Sequence, residues 1–309
     1  MNKKVVVFVA ILIASILFTS TVILSDYQET IDYNSEINLF NNTPGGRAWD
    51  YLQNSTYDTI LIEVDIVSPY IDERPYDNAL NISYLADHFN IVENIVLTEC
   101  NNKKIKYIWT ENTQNYYGDL EYPYYSLSEL KKIAETYKNY ETEGNNSVVH
   151  LIFLDGRYSL EDDIAIGGTL YAGTTIDATT IIIFLPTTVR NTVYAAEYPY
   201  LSRDIAHEFG HLLGLVATFG GDSIYNAPNA TSHRDADSVR HCSDNLCLMS
   251  TSIDKGTELC AECKADLAYL RNTTAPYKSM VEPNIDLIPI TSGIIIMAFS
   301  GAMIVWKRR

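Results

Sequence analysis

The pentad His207-Glu208-Phe209-Gly210-His211 constrains this chain more than any other feature. On a helix, His207 and His211 stand four residues apart and leave from one face, while Ile205, Phe209, Leu212 and Leu213 can pack on the other. Two imidazoles at that spacing suit zinc, with Zn–N bonds of about 2.0–2.1 Å, and a third protein ligand leaves one position open. Glu208, next to His207, points along the same side and can take a proton from water held there. Gly214 lies three residues beyond His211, where a positive φ can end the helix and turn the chain back toward the metal. The bland rival is a chance match on an amphipathic helix, and with six His in the whole chain it is a weak one.

A second cluster follows: His241-Cys242-Ser243-Asp244-Asn245-Leu246-Cys247-Leu248-Met249, then Cys260-Ala261-Glu262-Cys263. Four thiolates can close a tetrahedral structural zinc site, with Zn–S about 2.3 Å. Cys260 and Cys263 fall at an expected helix N-terminus, which favours thiolates. Two disulfides in an oxidising exterior are the alternative, and a redox-active C-x-x-C pair a further one, without the usual strand–motif–helix setting. Cys100 stands apart and reads as a small buried hydrophobe.

The ends set the expected compartment. Val5 to Leu24 is a 20-residue uncharged run after Lys3 and Lys4, and Leu287 to Trp306 is another, closed by Lys307-Arg308-Arg309. Each is long enough to cross a hydrocarbon core of about 30 Å. Because the first run is long and no A-x-A site follows it, an uncleaved anchor is preferred over a cleaved signal peptide. Basic flanks predict both termini in the cytoplasm and an extracellular segment from 25 to 284, with 1–24 and 285–309 as membrane segments. Six N-x-[ST] sequons, at Asn41, Asn54, Asn81, Asn145, Asn229 and Asn272, suit that exterior. With 22 Lys+Arg against 39 Asp+Glu the net charge is −17, and no basic block exceeds three residues. That excludes a phosphate-tracking nucleic-acid surface.

Between the ends, Thr59 to Ile66 alternates like a strand, Asn78 to Phe89 reads as a helix, and Asn94 to Thr98 as the next strand. Lys104 to Thr110, Val148 to Leu154 and Thr180 to Leu185 read as further strands. Ser126-Leu127-Ser128-Glu129 is a capping box opening a helix to about Tyr140. Gly167 to Gly173 suggests a bent or edge strand, with an ordinary hairpin equally consistent. Beyond 214 the pattern turns to loops, cysteines and one helix from about Leu259 to Leu270. These elements predict helices on a mixed sheet.

At this point the residues resemble a family. His207-Glu208-x-x-His211-x-x-Gly214 is similar to the zinc motif of metzincin metalloproteases, and Met249 to the methionine of their Met-turn. His241-Cys242-x4-Cys247-x-Met249 with a later C-x-x-C resembles the archaemetzincins. The resemblance implies an α+β fold: a mixed sheet with helices and a small zinc-binding C-terminal subdomain. It implies two zinc ions, one catalytic on His207, His211 and His241, one structural on Cys242, Cys247, Cys260 and Cys263. Glu208 would be the general base and Met249 a floor beneath the metal. Gly168, Thr169, Leu170, Tyr171 and Ala172 would be the edge to which an extended peptide or protein substrate pairs.

The chain departs from the family where it expects the third His three residues after the glycine: Ala217 stands there, so Ala217 to Arg240 acts as an insertion. His233, Asp235 and Asp237 are rival ligands within it. The expectation is a membrane-anchored, outward-facing zinc metalloendopeptidase; a non-catalytic cell-surface binding module with structural zinc is the alternative.

Overall fold

The computed structural model describes residues 37–53, 57–67, 82–100, 103–111, 124–154, 157–158, 173–184, 199–216, 233–235, 240–251 and 256–276. Both apolar runs, Val5 to Leu24 and Leu287 to Trp306, lie outside these residues, as do Gly168 to Ala172 and most of the insertion. Among the described residues no helix is long and apolar enough to cross a membrane. Contacts divide the chain into Met1–Asn38 with Pro276–Arg309, and Leu39–Ala275, which carries every element named below.

The fold is α+β. Five strands, β1 (Thr59–Val67), β2 (Lys104–Glu111), β4 (Asn146–Leu154), β6 (Gly173–Thr175) and β7 (Thr180–Phe184), form a sheet in the order β2-β1-β4-β7-β6, and β3 (Tyr124–Tyr125) pairs with β5 (Arg157–Tyr158). All pairings in the large sheet are parallel except β6 with β7, so the sheet is mixed and β6 ends its order. Among the helices that accompany it are α1 (Ala48–Leu52), α2 (Ile82–Ile95), α3 (Leu127–Tyr137), α4 (Pro199–Leu212) and α5 (Ala261–Asn272).

Most strands lie where the apolar runs place them. The Asn94 to Thr98 run does not. Helix α2 continues to Ile95 and a 3-10 turn covers Leu97–Cys100, with Val96 N–H donating to Val92 O at 3.0 Å. Val96 and Leu97 are buried on this turn, and the sheet position beside β1 is taken by β2. The run satisfies its apolar side chains in helical geometry, which short apolar runs do not distinguish from a strand.

Helix α3 starts where its capping box sits. The Ser126 side chain accepts from Glu129 N–H at 3.4 Å and Glu129 Oε2 accepts from Ser126 N–H at 2.8 Å. Leu130, Ile133, Ala134 and Tyr137 pack with Ile152, Leu154, Ile182 and Phe184 in one core cluster. These even-numbered strand residues form one face of the sheet, and α4 lies on the opposite face, where Ile183 points. Helix α4 also packs on α2, with His88 Nδ1 meeting Ser202 Oγ.

Strand β1 is buried along its whole length, so its polar positions Glu63 and Asp65 face the interior instead of solvent. Parallel strands flanked on both sides are covered on both faces, which explains the departure from simple alternation. Glu63 stands opposite His150 on β4, whose Nδ1 lies 2.7 Å from Oε2, and Asn139 donates to the same carboxylate from Nδ2 at 2.7 Å. Burial pushes the Glu63 carboxyl up, but hydrogen bonds from His150 and Asn139 outweigh it and hold it below the usual carboxylate value.

Helix α5 docks through its C-terminal end on α1 and the 3-10 turn. Trp49 Nε1 donates to Thr273 Oγ1 at 3.2 Å, Gln53 Nε2 to Leu270 O at 3.1 Å, and Arg271 Nη2 to Glu99 Oε2 at 2.8 Å. The helix is thereby held at a fixed place under α1 and the 3-10 turn.

A carboxylate whose folded pKa is depressed contributes stability above its unfolded value, near 4.5, that is lost as pH falls through the folded value. Glu63→Gln is therefore expected to lower stability by about 1–3 kcal/mol at pH 7, the range for hydrogen bonds to a charged group. The difference from wild type should shrink on acidification below pH 4.5, read by denaturant titration of the two proteins in parallel.

Candidate metal centres

Helix α4 presents the histidines as the 3.6-residue period requires, and its C-terminus then closes tightly. Leu215 N–H donates to Gly210 O at 2.9 Å and Gly214 N–H to His211 O at 3.0 Å, with Gly214 at φ +88°. This is a Schellman closure with its left-handed residue at glycine. A second constraint holds Gly214 in place: a Cβ on Gly45 would stand 2.7 Å from Gly214 Cα.

His207, His211 and His241 converge, each offering a ligand atom within 4.8 Å of the others. Their ring centroids are 4.8, 5.2 and 5.5 Å apart. His207 Nδ1 donates to Leu248 O at 2.7 Å and His211 Nδ1 to Leu215 O at 3.3 Å, so in both rings Nδ1 is committed to a carbonyl and Nε2 is the nitrogen that would meet a metal. Carbonyl partners of this kind fix ring orientation in metal sites. Three nitrogens on one point fit a zinc ion bound with an open position. His241 thus reaches the helix across the insertion, and the chain returns at Leu248 to hold His207.

Met249 is fully buried against the helix that carries two of these histidines. A Cβ on Gly210 would stand 2.3 Å from Met249 Sδ, so the glycine between the two histidines is the space that Met249 fills.

The carboxylate of Glu208 is held by a residue that sequence reasoning missed. Thr175 on β6 donates from Oγ1 to Glu208 Oε2 at 2.9 Å and lies equally close to the Glu208 carbonyl oxygen. Two residues earlier on the strand, a Cβ on Gly173 would meet Glu208 Cγ at 2.9 Å. Glu208 therefore passes along the edge strand, bare at 173 and hydroxylated at 175. Nothing in a Gly-Thr-Thr triplet signals this, because it depends on how β6 meets α4. Among the described residues the sheet order ends at Gly173–Thr175, directly after the expected segment Gly168 to Ala172, which falls outside them.

The four cysteines of the second cluster converge as free thiols. Cys242 and Cys260 Sγ are 3.6 Å apart, and Cys247 and Cys263 Sγ 3.7 Å. A tetrahedron with Zn–S of about 2.3 Å has edges of about 3.8 Å, so each of these two separations matches one edge. Met249 N–H and Cys260 N–H donate to Cys247 Sγ at 3.4 and 3.3 Å, and Cys263 N–H donates to Cys260 Sγ at 3.5 Å. Hydrogen bonding from Cys263, with these backbone donors, holds the Cys247 thiol well below its ordinary value, whereas burial pushes Cys242 up. Burial pushes the isolated Cys100 thiol up to about 12, which suits an inert core residue.

His233 sits here and not among the other histidines. Its Nδ1 is 3.4 Å from Cys242 Sγ and its Nε2 2.9 Å from Asp266 Oδ2. The hydrogen bond to Asp266 raises its pKa above the ordinary imidazole value. With Cys242, Cys260 and Cys263 it forms a second set of donors within 4.8 Å of one another. Asp235, the other described rival ligand, donates its N–H to His241 O at 2.9 Å; Asp237 lies outside the described residues.

Comparison of the chain with protein-family models and with curated proteins finds no match.

The Gly210–Met249 fit has a measurable consequence. Gly210→Ala is expected to lower stability by about 1–3 kcal/mol through overpacking. Combining it with Met249→Ala should cost less than the sum of the single changes, because the shorter side chain vacates the space a Cβ needs. Thermal denaturation of the four proteins in one cycle measures this.

Proposed function

We propose that the chain is a zinc-dependent metalloendopeptidase of the metzincin type, similar to the archaemetzincins, with one catalytic and one structural zinc. The observation that carries this reading is the convergence of three imidazoles, one of them next in sequence to Glu208, whose carboxylate Thr175 anchors. Zinc, when bound by His207, His211 and His241, supplies a Lewis acid that polarises a carbonyl and acidifies water. Glu208 takes the proton of the attacking water and passes it to the leaving amine. Thr175 anchors Oε2 of that base, so the carboxylate keeps one orientation through both transfers. Met249 supports the site from below without touching the reacting atoms.

The substrate is an extended peptide or protein segment. Among the described residues the strand that ends the sheet order lies beside Glu208, which suits pairing of such a segment by strand addition. The uncharged runs at Val5 to Leu24 and Leu287 to Trp306 support anchorage in a lipid bilayer, with the centre facing outward. The sequon residues Asn41, Asn145 and Asn272 are exposed, which suits that side of the membrane.

Glu208→Gln is expected to keep its zinc, measured by metal analysis, and to lose about 10²–10⁴-fold in turnover on a peptide library. Near wild-type turnover in the variant would remove Glu208 as base, and a wild-type protein inert on every peptide would favour the binding-module alternative. Thr175→Val should lower kcat by about 10–100-fold with little change in KM, since a misplaced catalytic group acts on the chemical step. Thr175→Ser, which keeps the hydroxyl, should restore most of the loss. If Val and Ser variants behave alike, the threonine contributes shape alone.

A further inference from the structure

We propose that His233 and Asp266 form the outer shell of the cysteine metal centre, with His233 as the residue that positions Cys242. The inference rests on the reading of the four cysteines as metal ligands and is independent of peptidase activity.

His233 comes from the segment that separates Gly214 from His241, and sequence alone offered it as a competitor for the catalytic metal. The fold places it elsewhere. Residues 233–235 run back along 241–243: Arg234 bridges Cys242 in antiparallel fashion, Ser243 N–H donates to His233 O at 2.7 Å, and Asp235 N–H donates to His241 O at 2.9 Å. The ring of His233 is thereby delivered to Cys242 Sγ at 3.4 Å. Asp266 receives the other ring nitrogen at 2.9 Å, and both side chains are buried. Asp266 stands three residues after Cys263 on α5, one helical turn along the same face, so the carboxylate and the thiol share one rigid element.

The chemistry of the thiols explains why such a partner is useful. Cys247 and Cys260 accept from backbone N–H groups of Met249, Cys260 and Cys263. Four thiolates around a divalent ion leave a net charge of −2, which donors to sulfur stabilise. His233 supplies a side-chain donor to Cys242 from outside the ligand set, and Asp266 fixes the ring. Four thiols already complete a tetrahedron, so the imidazole is outside the ligand shell. Because 233–235 also hold the backbone of His241, the same pair ties the third imidazole of the other centre to the cysteine centre.

The test uses the full chain loaded with cobalt, whose sulfur-to-metal charge-transfer band reports the cysteine site alone. His233→Leu removes both contacts, whereas His233→Asn places an amide nitrogen where Nδ1 stands and keeps the contact to Cys242. Both variants are expected to retain two metals per chain. The leucine variant should bind metal at the cysteine site about 10–100-fold more weakly in chelator competition, the usual loss for an outer-shell partner. Its charge-transfer band should move to lower energy as a donor to sulfur is lost, and the asparagine variant should fall between it and wild type. Asp266→Asn, which preserves volume, should weaken binding in the same direction.

Unchanged affinity and an unchanged band in the leucine variant would overturn the proposal. So would loss of one metal from His233→Leu combined with two retained by Cys247→Ser, which would make His233 a ligand in place of Cys247. Activity enters none of these readouts, so an inert wild-type protein would count against the peptidase reading and leave this one standing.

Discussion

The seat of Met249 against Gly210 is the contact on which both candidate metal centres depend. It holds the return of the chain after Cys247 directly under the helix that carries His207 and His211. With Met249 in that seat, the adjacent Leu248 carbonyl meets His207 Nδ1, and Met249 O accepts from Cys242 N–H at 2.8 Å. That last bond closes the loop 242–249 and brings His241 beside the helix. Close packing makes such a seat specific, because a buried thioether fits only where the facing residue has no Cβ.

The sheet contributes a platform and, at the end of its order, a support for the Glu208 carboxylate. Parallel strands β1, β4 and β7 are covered on both faces, so Glu63 lies within the interior beside His150, its carboxylate held by donors from Asn139. Reversal of direction at β6 then lays a short antiparallel strand beside α4, where Gly173 gives room to Glu208 and Thr175 holds it. A carboxylate on a helix and its anchor on a strand are thus fixed by two different elements, and rigid elements position such groups better than loops do.

Below the helix, the cysteine centre takes the place of an apolar core. Few large apolar side chains lie between Cys242 and Cys263, and a metal held by several thiolates can supply folding free energy that such a segment lacks. Helix α5 connects this centre to the upper layer through Trp49, Gln53 and Arg271, so the thiols at its start and the docking bonds at its end belong to one rigid rod.

Local patterns alone determined much of this protein. The capping box at Ser126, the apolar runs of β4 and β7, the helical spacing of His207 and His211, and the glycine at 214 each act within a few residues, where propensity and period are decisive. The link of His241 to the helix was readable only because Cys242, Cys247 and Met249 follow it at short range. Tertiary structure decided the rest. Asn94 to Thr98 became helix and 3-10 turn because β2 occupies the strand position, Thr175 gained its role from where the edge strand meets α4, and His233 went to the cysteines because 233–235 pair with 241–243. In each case the deciding partner lies far along the chain or in another element, and no local period encodes a contact of that kind.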